Sequence, residues 1–514
     1  MSRDPNVAPD DRAWAADTGD WLVLGFISLF CLITAIYPIV RAFYHFEINY
    51  KEGWMIYNAL AVVHHVPLYG TKFGWTLVDY PALSFYIMAF LSRFLHDYLL
   101  TGRLLCLLSF GVCSVLIGLI IRKLTGRLAP AIFGSVFCVG IFCAAATRYI
   151  GFDDPQMLGE IFFLSGLLLY ISKRPTLGRI AVIVFLFVVG GNIKHNLVDL
   201  PLAVFIDLLL TSRRKALQFL LFAAVFITCS IVGSMKLDGP FFISNMLSVR
   251  HYSLLGAFLD FLYYYSVILV PFIAAFIWAI KARKDASNRV ISIFFLTSLF
   301  TGMFFSAGTG IAINVYFSNF FAISIVMGML LYSAWSVPSP FAKYRFLGRR
   351  EVPLILSAFL LLAFILSGYS NVWRSIRELP EQQRQFDAEV SFMRDQPGPA
   401  ICESLLRCYY AGKPYVYDPF HFTRLVSLNE LDSGELVAQI KTFHYGAIQL
   451  HGTLSSLERP NERFPDAVLD AIDQYYSLAI RHSNCAIYIP KTNIKNQTYG
   501  EARFNLLQTN HPVE

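Results

Sequence analysis

Eleven apolar runs, each about as long as a bilayer is thick, recur through the first 370 positions and leave little freedom in the choice of fold. They lie near 21–43, 102–121, 128–147, 156–172, 178–193, 197–211, 216–235, 259–280, 290–307, 312–335 and 352–370. A hydrocarbon core about 30 Å thick takes roughly 20 residues of helix, and a helix satisfies its own backbone hydrogen bonds where no water can. The chain is 56% hydrophobic and 15% charged, outside the range of water-soluble domains. The expected fold class is therefore a polytopic α-helical membrane protein. The formal charge of +7 does not point to nucleic acid, because the basic residues sit in short clusters between apolar runs and form no aromatic-interleaved stripe. The nine cysteines make no metal-ligand spacing; Cys31, Cys106, Cys113, Cys138, Cys143 and Cys229 lie within apolar runs as small hydrophobes.

Charge sets the expected topology. The segment PALSFYIMAFLSRFL after Tyr80 is short for a span and carries Arg93. If it lies at the interface and residues 1–20 form a cytoplasmic tail, the loops RKLTGR (122–127), KRPTLGR (173–179), SRRK (212–215), KARKDASNR (281–289) and AKYRFLGRR (342–350) all face inward. If it crosses, all five fall outside, against the positive-inside rule. We read 81–97 as an interfacial or re-entrant helix, 21–370 as the membrane domain, and 371–514 as an extracytoplasmic domain. No small-residue cleavage site follows the first run, which reads as a retained helix.

After Tyr369 the composition turns polar. RSIRELPEQQRQFDAEVSFMRDQ reads as an amphipathic helix; PAICES, PYVYDP, GAIQLHG and CAIYIP read as strands, with helices over 434–443 and 466–479. This predicts a small α/β domain. Cys402 and Cys408 can pair in an oxidising compartment or stay as buried thiols.

The outer segments carry the candidate chemistry. Glu52, opening the amphipathic stretch KEGWMIYNALAVVHHVPLYG, is either a helix-terminal carboxylate or a general base for an acceptor hydroxyl. Asp153 and Asp154, before Pro155, can cap the next helix, hold a divalent metal or orient a base. Glu47 and Asp79 are further acids, and Asp79 equally suits a turn. In GGNIKHNLVDLP, Lys194 and His195 stand near Asp199; a lysine there either snorkels or offsets an anionic phosphate. Arg250 and His251 meet either that phosphate or lipid headgroups.

Taken in order, the segments EGWMIYNALAVVHHVPLYG, YPALSFYIMAFLSRF, GRLLCLLSFGVCSVLIGLIIRKLTGR, the DDP turn and the KHN turn resemble the GT-C superfamily of polyprenyl-phosphate-dependent glycosyltransferases. The likeness is to bacterial relatives of the protein O-mannosyltransferases and of the lipid A aminoarabinose transferase, and it covers nearly the whole chain. It implies a multi-pass protein of the bacterial inner membrane that moves a sugar from a polyprenyl-phosphate donor to a lipid, glycan or protein acceptor at the outer face, in some members with a divalent metal. The family's first loop carries an Asp-Glu pair. Here the pair is Lys51-Glu52, so Glu52 matches its second member and Asp154 the acid of the second loop, while Glu47 or Asp79 would have to replace the missing Asp. Donor phosphate binding falls to Lys194, His195 and Arg250. Two other classes fit a chain of this kind: a lipid or sugar transporter, and an inactive scaffold, to which Lys51 lends weight. A transporter predicts a continuous polar path and inverted-repeat symmetry, and the sequence displays neither.

The one-sided basic loops generate a direct test. A periplasmic reporter fused after Gly368 is expected to be active and one within 281–289 inactive; an active reporter in 281–289 would invert the topology.

Overall fold

The computed structural model describes residues 18–173, 175–248, 250–336 and 372–491. Fourteen helices occupy the first part: α1 (Thr18–Arg41), α2 (Lys51–Val63), α3 (Leu83–Leu95), α4 (Tyr98–Thr125), α5 (Leu128–Ala145), α6 (Gln156–Ser172), α7 (Leu177–Ile193), α8 (Asp199–Thr211), α9 (Arg213–Leu237), α10 (Phe242–Met246), α11 (Leu254–Ser266), α12 (Leu269–Ala282), α13 (Arg289–Ser306) and α14 (Phe317–Ser336). The chain divides into two compact units. The first comprises Met1–Tyr44, Tyr80–Ser234 and Arg250–Leu379; the second comprises His45–Asp79, Met235–Val249 and Pro380–Glu514.

α4 illustrates how the sequence builds the first unit. The Asp97 side chain accepts a hydrogen bond from the Leu100 amide at 2.9 Å and so caps the start, while Gly126, at φ 70°, turns the chain out of the helix at its end. Arg122 and Lys123 in the last turn suit the negative end of the helix dipole. One face, with Cys106, Phe110, Cys113, Ile117 and Ile121, is buried against neighbouring helices; Leu108, Val112, Val115 and Leu119 form an exposed apolar stripe of the kind that faces lipid.

Among the described residues, six helices are long and apolar enough to cross a membrane: α1, α4, α5, α9, α13 and the span Ile313–Ser333 that ends in α14. The expected span at 259–280 is two helices, α11 and α12, bent by 106° at the break, and the pair makes a seventh crossing if it spans at all. Pro271 gives the reason: it lacks an amide proton, and its ring obstructs the carbonyl four residues earlier, so a helix cannot run through Val267 unbroken. The runs at 156–172, 178–193 and 197–211 form helices of 17, 17 and 13 residues, of which only the last falls below the roughly 17 residues that a crossing takes. The expected span at 352–370 lies outside the described residues. α3, at 13 residues or about 20 Å, is also too short to cross upright, as the interfacial reading of 81–97 requires.

The second unit has a four-stranded sheet in the order β1-β2-β4-β3, with β1 (Ala400–Cys402), β2 (Ala447–Leu450), β3 (Tyr476–His482) and β4 (Cys485–Pro490). β1 and β2 are parallel, in register at Ile401 and Ile448, and the crossover between them carries the helices Leu405–Tyr410, Pro419–Ser427 and Gly434–Lys441. β1, β2 and β4 are buried throughout, β1 and β4 as short apolar runs and β2 with the polar Gln449 enclosed, whereas β3 at the edge exposes Leu478. Ile401, Ile448, Leu450, Val468, Leu469, Ile472 and Tyr488 form the core.

Two sequence expectations are corrected here. PYVYDP is not a strand: Pro414 and Pro419 bracket it, and Asp418 caps the helix Pro419–Ser427 through the His421 amide. The helix expected over 466–479 stops at Tyr475, and Tyr476–His482 pairs antiparallel with CAIYIP instead. Those residues are aromatic and apolar enough for either state, and the partner strand decides. Cys402 and Cys408 form a disulfide with Cα atoms 5.9 Å apart, and Cys485 is a buried free thiol.

α2 packs against the helix Leu405–Tyr410 at a point where only glycine fits. A Cβ on Gly53 would lie 2.3 Å from the Leu406 nitrogen and 2.4 Å from the Leu405 carbonyl carbon, both backbone atoms that cannot rotate away. Gly53→Ala is expected to cost at least about 1–3 kcal/mol by overpacking. Gly111→Ala, whose added methyl would meet nothing within 4 Å, should be neutral or slightly stabilising. Melting midpoints of the two purified variants check the contrast, and equal midpoints would refute the packing argument.

Candidate active site

In the first unit, the turn between α5 and α6 and the turn between α7 and α8 bring opposite charges together. Arg41, at the end of α1, secures the first turn by donating through Nη2 to the carbonyls of Thr147, Arg148 and Ile150 at 3.1–3.2 Å. Asp153 and Asp154 follow, both buried. Asp153 lies against Gly102 of α4, where a Cβ would sit 2.2 Å from its Cγ, so only glycine leaves room for that carboxylate. Asp154 uses its two oxygens differently. Oδ1 accepts from the Gln156 amide at 2.8 Å and caps α6, while Oδ2 faces Lys194 Nζ at 3.8 Å.

Lys194 ends α7, its amide bonded to the Gly190 carbonyl. A cation there complements the helix dipole, which is the plain structural reading. The side chain does more than snorkel, however. It is 3% exposed, its Nζ lies 3.5 Å from the centre of the Tyr80 ring, and among the described residues that Nζ has no hydrogen-bond partner although an ammonium has three protons to give. His195 is exposed, its ring edge-on to Tyr80 at 6.2 Å. Arg250 donates from Nη1 to the Thr309 carbonyl at 3.1 Å. A divalent ion on the Asp153-Asp154 pair would have to share Asp154 Oδ2 with the Lys194 ammonium. Among the described residues no group of three or more His, Cys, Asp or Glu side chains could hold a metal ion.

The remaining acids belong to the second unit. Glu52 is fully buried in the first turn of α2, where its Oε2 accepts from the Ile48 amide at 2.8 Å and closes the turn leading into the helix. Glu47 Oε2 lies 3.2 Å from Arg407 Nη1 and 3.5 Å from His451 Nε2; Arg407 Nε in turn bonds Glu389 at 2.7 Å, and Glu389 holds His482 at 2.7 Å. Asp79 Oδ2 lies 3.1 Å from His421 Nε2 and 3.6 Å from Arg424 Nη1, and the other ring nitrogen of His421 faces Asp418 at 2.5 Å. With a carboxylate at each nitrogen, both must donate, so His421 is an imidazolium. Burial alone would lower its pKa, but Asp418 and Asp79 outweigh burial and raise it.

The sequence reading missed Tyr80 as a platform, and it missed His421, Arg424, Arg407 and His451 altogether. The Asp418-Pro419 step was the one available signal, since Asp before Pro marks a helix start and places residue 421 one turn on. The others lie hundreds of positions from their partners in Glu47 and Asp79, and local spacing carries no trace of them.

The His451 cluster has a pH dependence with a definite sign. Burial would lower the His451 pKa, but Glu403, at 3.0 Å, and Glu47 raise it from 6.5 to about 9. Burial would likewise raise Glu47 and Glu403, but His451 outweighs it and holds both below the usual carboxylate value of 4.5. The histidine contribution is therefore full below pH 6.5 and is lost as pH climbs through about 9; the carboxylate contribution is present above 4.5 and is lost as pH falls through the lowered values. Thermal unfolding is expected to show alkaline destabilisation across that upper range, which His451→Gln flattens. An unchanged slope in the variant would refute the assignment.

No protein-family model and no curated protein matches the sequence. Solved structures do match. ArnT from Cupriavidus metallidurans in the apo state superposes with a TM-score of 0.57 at 10% identity, over 92% of this chain and 98% of that one. The same protein bound to undecaprenyl phosphate gives 0.53 at 11% identity, with the same coverage. At such identity the likeness is one of fold. The chain is a multi-pass membrane protein with the fold of ArnT.

Proposed function

We propose that the chain transfers a sugar from a polyprenyl-phosphate donor to an acceptor hydroxyl at the membrane surface. The observation that carries this reading is the buried Lys194 ammonium, seated on Tyr80 beside Asp154 with its hydrogen-bonding capacity unspent, in a chain whose fold is that of a protein crystallised with undecaprenyl phosphate. An anionic phosphate oxygen is a natural partner for such a cation, and a preorganised ammonium in an apolar setting stabilises charge without reorganisation. In the transfer, Asp154 Oδ2 takes the proton of the acceptor hydroxyl, and the acceptor oxygen attacks the anomeric carbon. The bond from that carbon to the phosphate oxygen breaks, and the lipid phosphate departs with the electron pair toward Lys194. His195 and Arg250 are further contacts for the phosphate. Glu52 is the second candidate for the base; its loop-closing bond to Ile48 gives it a structural task as well. The donor sugar, the acceptor, the inner-membrane location and the extracytoplasmic placement of the C-terminal domain are part of the proposal.

Purified protein given a radiolabelled polyprenyl-phosphate sugar and candidate acceptors tests the reading. Lys194→Gln is expected to lose about 10²–10³ in turnover, and Asp154→Asn about 10²–10⁴, with the fold preserved. Glu52→Gln should retain transfer within a few fold, because an amide oxygen still accepts from Ile48. Equal loss in Glu52→Gln would move the base to Glu52, and wild-type turnover in Lys194→Gln would end the phosphate assignment.

A further inference from the structure

One buried polar group in the first unit takes no part in the proposed transfer. Glu160 on α6 is 0% exposed, Asp199 at the start of α8 is 3% exposed, and Ser318 on α14 is 1% exposed. The Ser318 hydroxyl donates to Glu160 Oε1 at 2.6 Å and stands beside Asp199, whose Oδ1 accepts from the Leu200 amide at 2.6 Å. Among the described residues neither acid has a basic partner. The contrast lies on the same helix: Asp207, at the far end of α8, is matched by Arg289 at 2.6 Å and Tyr170 at 2.5 Å.

A second observation concerns acceptors without donors. Gln156, 1% exposed and beside Glu160, has its Oε1 unpartnered, and so does Glu160 at Oε2. Two carboxylates thus stand together with the Ser318 hydroxyl, the Leu200 amide and the Gln156 side chain as neutral donors, among apolar helices where negative charge unmatched by a cation is costly. What would complete such a group is positive charge. A hard divalent ion asks for six or more oxygens in a defined geometry, which this set does not offer; a proton needs only one or two oxygens, and a singly charged Na⁺ imposes a less strict geometry on its ligands.

We propose that Glu160, Asp199, Gln156 and Ser318 form a monovalent-cation site inside the membrane unit, taking a proton or Na⁺. A proton on Glu160 Oε2 removes one of the two enclosed negative charges, and Na⁺ draws on the carboxylate oxygens directly. The first turn of α6 connects the site to Asp154, whose Oδ1 caps that turn at the Gln156 amide. The site stands on its own geometry and does not depend on the transfer reaction.

The test uses the full chain in lipid nanodiscs, in two arms. In the first, melting midpoints are compared in NaCl and in choline chloride at equal ionic strength. In the second, infrared spectra are searched for the C=O band of a protonated buried carboxyl that shifts on deuterium exchange. If Na⁺ is the occupant, sodium raises the wild-type midpoint and Glu160→Gln and Asp199→Asn abolish the rise. If the occupant is a proton, the band is present in the wild type and lost in Glu160→Gln. Glu160→Gln is neutral and keeps the shape of the side chain, so it should fold and melt no lower than the wild type in choline. Absence of both the sodium response and the band overturns the proposal, as does a sodium response or band that persists in both variants.

Discussion

A charge enclosed by apolar helices has to be matched within those helices, because neither lipid nor a displaced water can solvate it. That constraint organises the first unit. Asp207 has Arg289 and Tyr170, and Arg41 spends its Nη2 on the carbonyls of Thr147, Arg148 and Ile150. Lys194 has Asp154 and the face of Tyr80, but the match is incomplete: 3.8 Å is an ion pair without a hydrogen bond, and a ring face accepts none of the ammonium protons in the ordinary sense. Incomplete matching of this kind is expensive in a purely structural pair and useful in a site that receives an anion.

Geometry around the pair explains why it holds its shape. Asp154 is tied to α6 through the Gln156 amide, and Lys194 is tied to α7 through Gly190, so each charge is placed by a helix terminus and not by a free loop. The terminal dipoles favour each sign where it stands. The close approach of α6 and α7 rests on small residues, since a Cβ on Gly190 would lie 2.4 Å from the Phe163 ring and 2.9 Å from the Gly159 carbonyl oxygen. Packing, capping and charge pairing thus support the same arrangement.

The second unit solves a similar problem with histidine. His421 between Asp79 and Asp418, and His451 between Glu47 and Glu403, are imidazolium bridges that let pairs of carboxylates share a buried setting. The segment His45–Asp79 supplies one acid to each bridge and the C-terminal sequence the other, so that segment and the region after Pro380 form one electrostatic body as well as one compact unit. Glu47 and Asp79 are engaged in this way, and their carboxylates are held by cations.

Much of the architecture was legible in the sequence alone. The helical period and the length of the apolar runs located α1, α4, α5, α9, α13 and α14, because lipid exposure and backbone satisfaction are local requirements that each segment meets by itself. Asp154 at a helix start and Lys194 at a helix end were readable for the same reason, as the termini of a helix have a fixed polarity. What only the tertiary structure decided was partnership: that Asp154 faces Lys194, that Tyr80 lies beneath it, that Ser318 reaches Glu160 across 158 positions, and that Tyr476–His482 is a strand. A charge or a strand edge is satisfied by whatever the fold brings within a few ångströms, and no local spacing in the chain records which residue that will be.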